Sequence, residues 1–130
     1  MSPVHEILVV DDSRVMREMV IACLRGLSGL DFAQAASGLE AIERLSLASY
    51  DAMVLDLNMP DIGGFEVIEF VRCQDKLKDL PILVVTTRGD EGSKVRAFEL
   101  GASAFMTKPF APQAILEAVR ALLDGKAAAP

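Results

Sequence analysis

The sequence predicts an α/β fold, a doubly wound sheet of five parallel strands with helices on both faces. Three observations predict it. Five short apolar runs alternate with five stretches of helical periodicity along the chain. Most of the runs are continuously apolar rather than alternating, the pattern of strands buried on both faces. The chain has 130 residues, 52% of them hydrophobic, the size and composition of one globular domain. Strand–helix alternation with right-handed crossovers then gives a single open sheet.

The strands are expected over residues 7–10, 32–36, 52–55, 82–85 and 104–106. The first helix is expected over 13–27, capped by Ser13 and ended by Gly26, Ser28 and Gly29. Its apolar stripe is Val15, Met16, Met19, Val20, Cys23, Leu24 and Leu27. On this reading both methionines are core filler. The second helix starts at Ser37, with Glu40 three residues on as a capping box, and buries Ala41, Ile42 and Leu45. The third follows Gly63 and Gly64 and carries Phe65, Ile68 and Val71. The fourth, over 90–100, has the thinnest apolar set: Val95, Ala97, Phe98 and Leu100. The fifth begins with Pro112, a good first-turn residue, and buries Ile115, Leu116, Val119, Leu122 and Leu123. Past Asp124 nothing is left to bury. The expected organisation is one domain over 1–124 and a flexible tail over 125–130, either a frayed end or the start of a linker.

Composition excludes several classes. No apolar run approaches the ~20 residues of a membrane span, and the start lacks a signal peptide's basic and apolar regions, so a cytoplasmic protein is expected. Thirteen Lys and Arg against nineteen Asp and Glu give a net charge of −6, which argues against direct nucleic-acid binding. Cys23 and Cys73 lie far apart, so neither a disulfide nor a zinc site is expected. Cys23 falls on a core stripe and Cys73 near a helix end, partly exposed. His5 reads as an inert residue of a frayed start. There is no Trp and one Tyr, so no aromatic platform for a flavin is evident.

In such sheets the ligand site lies beyond the C-terminal ends of the strands. Asp11 and Asp12 follow the first strand, Asp56 the third, Thr86 and Thr87 the fourth, and Lys108 with Pro109 the fifth. The flavodoxin-like order 2-1-3-4-5 makes the first and third strands neighbours and gathers the three carboxylates, with Thr86 and Lys108 on the other flank. Carboxylates this close repel one another unless a cation relieves them. Hard oxygen ligands with no His or Cys among them point to Mg²⁺. A carboxylate beside Mg²⁺ can attack a phosphoryl donor and become an aspartyl phosphate. Mg²⁺ and the Lys108 ammonium would neutralise the phosphoryl oxygens, and the Thr86 hydroxyl would donate to one of them.

The chain from about residue 6 to 123 resembles the receiver domains of two-component response regulators, the CheY-like superfamily. The resemblance rests on Val-Val-Asp11-Asp12-Ser13, Leu55-Asp56-Leu57-Asn58-Met59-Pro60, Val85-Thr86-Thr87 and Thr107-Lys108-Pro109-Phe110, in order and at the expected strand ends. It implies that Asp56 is the phosphoacceptor. It implies Mg²⁺ held by Asp12, Asp56 and the backbone carbonyl of Asn58, with Asp11 acting through water. Thr86 would be the switch hydroxyl, Lys108 the phosphate-pairing lysine, and the Lys108–Pro109 bond cis. The chain departs from the family pattern at three places. The switch aromatic is Phe105, where Tyr is frequent, so the switch must rest on packing. Thr87 stands where a small residue is usual. Gly63 stands where Asp is frequent. Asn58, Thr87 and Arg88 hold positions expected to tune phosphoryl lifetime.

The resemblance implies a cycle in which a sensor histidine kinase donates a phosphoryl group to Asp56 and water later removes it. The chain is then a modified acceptor rather than a turnover enzyme. Its output would leave through the face of the fourth helix, fifth strand and fifth helix, toward a downstream protein, as monomer or phosphorylation-dependent dimer. A stand-alone receiver is expected, for which a chemotaxis-type regulator is one reading and a phosphorelay intermediate or phosphate sink another. A receiver fragment of a larger, for example DNA-binding, regulator is one alternative, and a phosphorylation-independent binding module is another. A haloacid-dehalogenase-type phosphatase would need a second Asp two residues after Asp56, where Asn58 stands. A flavodoxin would need a Ser/Thr-rich phosphate loop where the acidic Asp11-Asp12-Ser13 stands.

Overall fold

The computed structural model describes residues 4–125; the expected tail lies outside them from residue 126 on. Five strands and five helices alternate: β1 His5–Val10, α1 Arg14–Leu24, β2 Leu30–Ala35, α2 Gly38–Leu47, β3 Ala52–Leu55, α3 Gly64–Cys73, β4 Ile82–Thr86, α4 Glu91–Leu100, β5 Ala104–Thr107 and α5 Pro112–Leu123. The sheet runs β2-β1-β3-β4-β5, the expected order, and every pairing is parallel. Among the described residues no helix is long and apolar enough to cross a membrane.

The continuous apolar runs are explained by two cores. Leu8 and Val10 face one core with Leu45, Val67, Ile68 and Val71. Ile7 and Val9 face the other with Leu24, Ile115 and Val119. Both faces of β1 are thus covered, so both phases of the strand must be apolar. Two strands start earlier than expected, at His5 and Leu30, where polar residues extend the ladder. His5 therefore belongs to β1 rather than to a frayed start, and its Nδ1 lies 3.7 Å from Asp51 Oδ2.

Register sets up the site. Val10 pairs with Leu55, so Asp11 and Asp56 leave the sheet side by side. Thr86 pairs with Thr107, so Lys108 follows beside Thr86.

The helix ends follow their caps. Ser13 Oγ accepts from Met16 N–H at 3.2 Å, and Ser37 Oγ accepts from Glu40 N–H at 3.1 Å, the serine half of the expected box. Glu66 Oε1 accepts from Gly63 N–H at 3.2 Å at the start of α3. Asp90 caps α4, taking Ser93 N–H and Ser93 Oγ–H at 2.9 Å each.

Helix faces differ from expectation in detail. On α1 the buried residues are Val20, Ile21 and Leu24, while Val15 is 71% and Met19 47% exposed. The helix is wedged between the sheet and α5, so its inner face centres on Val20 and Leu24. Ile21 joins one shoulder, and Met19 is no core filler. Val67 joins the buried face of α3 and Phe65 is half-buried. On α4 only Ser93 and Ala97 are buried, and Val95 faces out. Cys23 is half-buried and Cys73 exposed, and both are free thiols.

Arg72 ties α3 to two loops. Its guanidinium donates to Gly101 O at 2.7 and 3.0 Å, to Lys78 O at 2.9 Å and to Leu80 O at 2.7 Å. Gly101 ends α4 at φ 118°, a left-handed turn that favours glycine.

Candidate functional site

Three carboxylates meet at the C-terminal edge of the sheet. Asp11, Asp12 and Asp56 each place one oxygen within 4.8 Å of the others'. Asp11 and Asp56 are buried, whereas Asp12 is exposed. Burying two carboxylates is costly unless each is bonded and compensated. Asp11 Oδ1 accepts from Ser13 N–H at 2.9 Å, and Asp56 Oδ1 accepts from Asn58 N–H at 3.3 Å. Their other oxygens face Lys108, whose Nζ lies 2.7 Å from Asp11 Oδ2 and 3.3 Å from Asp56 Oδ2. Burial works against the Lys108 charge, but the hydrogen bond to Asp11 and the charges of Asp56 and Asp11 outweigh it and raise its pKa above 10.5. One ammonium serves three carboxylates, so excess negative charge remains. That excess, on oxygen donors with one member open to solvent, fits a hard divalent cation that keeps some of its water.

The surrounding residues hold this cluster. Arg17 Nη1 donates to the Asp11 backbone carbonyl at 2.6 Å, and Arg17 Nε to Gln34 Oε1 at 2.9 Å. Neither Arg17 nor Gln34 was singled out from the sequence, where an Arg on the first helix reads as a solvated face. Gly64 packs under Asp56: a Cβ there would lie 2.6 Å from the Asp56 carbonyl oxygen.

The fourth-strand residues flank the cluster. Thr86 is fully buried; its Oγ1 accepts from Arg88 N–H at 3.2 Å, and its carbonyl accepts from Lys108 N–H at 2.9 Å. Thr87 is exposed, and its Oγ1 accepts from Asn58 Nδ2 at 3.2 Å. Arg88, one of the three residues expected to tune phosphoryl lifetime, lays its guanidinium over the Phe65 ring, 5.2 Å from the centroid. Phe105 is half-buried on β5 and packs against the core beneath α3 and α4. The Lys108–Pro109 peptide bond is cis, as expected. A separate cavity of about 630 Å³, lined by Leu45, Ser49, Phe70, Cys73 and Leu77 among others, lies at the opposite edge of the sheet and takes no part in this cluster.

Residues 7–120 match the family model described as the response regulator receiver domain. The chain belongs to that family. This receiver is 34% identical over 119 residues to the chemotaxis protein CheY1 of Helicobacter pylori, covering 91% of this chain and 96% of that protein. It is 40% identical over 117 residues to the response regulator MprA of Mycobacterium ulcerans, covering 90% of this chain and 49% of that protein. Its fold matches the high-resolution structure of the chemotaxis response regulator CheY4 of Vibrio cholerae with TM-score 0.84 and 34% identity, over 92% of this chain and 98% of that one. The receiver thus has a role in two-component signalling.

Proposed function

We propose that Asp56 is the phosphoacceptor of this receiver and that a sensor histidine kinase supplies the phosphoryl group. The observation that supports this most is the Lys108 ammonium set between Asp56 and Asp11, with Asp12 beside them. An Asp56 oxygen attacks the phosphorus of a phosphohistidine. The new O–P bond forms as the P–N bond breaks, and the imidazole leaves with a proton from water. Asp12, Asp56 and the Asn58 carbonyl, with Asp11 through water, would hold Mg²⁺. When bound, Mg²⁺ offsets the negative charge of the phosphoryl oxygens. Lys108 pairs with another of those oxygens and keeps its charge throughout. The buried Thr86 hydroxyl donates to a third, and the Thr87 backbone N–H would donate to the same group.

Water later hydrolyses the acyl phosphate and returns Asp56 to a carboxylate. The chain's own side chain is modified, so it acts as an acceptor and not as a turnover enzyme. The cytoplasm, where a kinase can draw on ATP, is its setting. Output runs through the face of α4, β5 and α5 to a downstream protein, with Phe105 as the part that turns inward. Similarity to chemotaxis proteins along nearly their whole length favours chemotaxis-type output. The match to about half of MprA supports a second reading, a receiver within a longer response regulator.

Intact-mass measurement after incubation with phosphoramidate tests the chemistry. One phosphoryl adduct is expected with Mg²⁺, none in EDTA, and none in Asp56→Asn. An adduct that survives Asp56→Asn overturns the assignment. No adduct, under conditions that label a control receiver, makes the chain a phosphorylation-independent binding module.

A further inference from the structure

Arg88 is fastened twice. Its backbone N–H donates to Thr86 Oγ1 at 3.2 Å, and its guanidinium lies 5.2 Å from the Phe65 ring centroid. The same ring carries a second guanidinium, that of Arg96, at 4.7 Å. Phe65 stands in the first turn of α3, Arg88 in the loop after β4, and Arg96 in the middle of α4. One aromatic ring therefore joins three segments, and one of those segments holds the Thr86 hydroxyl. The rest of α4 offers little to anchor it, since only Ser93 and Ala97 are buried. Two like charges on one ring repel each other.

A phosphoryl group on Asp56 draws the Thr86 hydroxyl toward its oxygens. The Arg88 N–H must then follow, which pulls the guanidinium from Phe65, or lose its bond to Oγ1. Either path works against the Phe65 stack. We infer that Phe65 is a positioning residue of the switch: by pinning Arg88 and Arg96 it holds Thr86 and α4 in the unphosphorylated arrangement. Loosening the pin makes the phosphorylated arrangement easier to reach, because a ligand that prefers one state binds more tightly when the other is weakened. This rests on Asp56 as phosphoacceptor and adds a residue outside the carboxylate cluster.

Beryllium fluoride in excess Mg²⁺, a mimic of the phosphoryl group, gives the test by calorimetric titration. The chains are the native protein, Phe65→Leu, Arg96→Ala and the double variant. Leucine keeps apolar bulk on the half-buried position, and thermal unfolding checks that each chain is folded. An exposed cation–π contact corresponds to about 2–5-fold in an equilibrium constant. Arg96→Ala is expected to bind the mimic about that much more tightly, and Phe65→Leu more tightly still. Adding Arg96→Ala to Phe65→Leu should change nothing further, which a merely structural role for Phe65 would not produce. Equal or weaker binding by Phe65→Leu overturns the inference alone, as does a full Arg96→Ala effect in the Phe65→Leu chain. No binding by the native chain overturns both the inference and the reading of Asp56.

Discussion

Lys108 and Asp11, 97 residues apart in sequence, make a 2.7 Å ion pair at the C-terminal edge of the sheet. The pairing places the one ammonium of the cluster where it opposes three carboxylates, and it makes divalent binding and Lys108 competitors for the same negative charge.

Removing that ammonium should strengthen cation binding. Mg²⁺ is expected to raise the thermal midpoint of the native chain, since it binds the folded cluster and not the unfolded chain. The rise should be larger in Lys108→Met, where the carboxylates lose their internal partner, and smaller in Asp12→Asn. Thermal scans in Mg²⁺ and in EDTA check this. A smaller Mg²⁺ effect in Lys108→Met contradicts the charge accounting.

Thr86 is buried and its hydroxyl is the partner of the Arg88 N–H. Thr86→Ala removes the acceptor of that hydrogen bond, at about 0.5–1.5 kcal/mol, and takes away the group assigned to a phosphoryl oxygen. Thr86→Ser keeps both. Urea unfolding should place the serine variant near the native chain and the alanine variant below it. Labelling by phosphoramidate should slow in Thr86→Ala only. Equal labelling rates in all three chains would remove Thr86 from the site.

Gly64 stands where the backbone of α3 touches the backbone of the Asp56 loop. A Cβ would lie 2.6 Å from Asp56 O and 2.7 Å from Leu57 Cα. Alanine favours a helix over glycine by about 1 kcal/mol, but backbone neighbours cannot swing aside as a side chain could. The clash therefore wins, and Gly64→Ala is expected to cost about 1–3 kcal/mol and to slow phosphoramidate labelling by displacing Asp56. Native-like stability with native labelling would show that the loop yields freely.

Asp90 gives the pH prediction. Hydrogen bonds from the Ser93 backbone and then its hydroxyl hold the carboxylate below its ordinary value of 3.8, with a contribution from Arg88. A depressed carboxylate stabilises the fold above its unfolded pKa, and that contribution is lost as pH falls through the folded pKa. In Asp90→Asn the cap remains but does not titrate. The difference in urea midpoint between the two chains should be constant well above pH 3.8, shrink as pH falls from there through the lower folded pKa, and level off below it. A difference that grows on acidification would contradict the assignment.

Much of this was legible in the sequence because the sheet needs two apolar faces. Runs such as Ile7 to Val10 announce a doubly covered strand, and register then carries Asp11, Asp56 and Lys108 to one edge. Helix facing was less legible. Val15 and Met19 lie within the helical period of Val20 and Leu24, and only the packing of α1 against α5 and the sheet decides which shoulder is buried. The partners of long polar side chains were least legible. Arg72 on Gly101 O, Arg17 on Asp11 O, and Arg88 with Arg96 on Phe65 are fixed by tertiary distance, which no local periodicity encodes.

If Asp56 carries the phosphoryl group, borohydride reduction will mark that residue. Reduction of an acyl phosphate converts the modified aspartate side chain to that of homoserine, which peptide mass spectrometry locates. After phosphoramidate and Mg²⁺, the conversion is expected at position 56 alone. Conversion at Asp11 or Asp12, or a phosphoryl adduct that resists reduction, would contradict it.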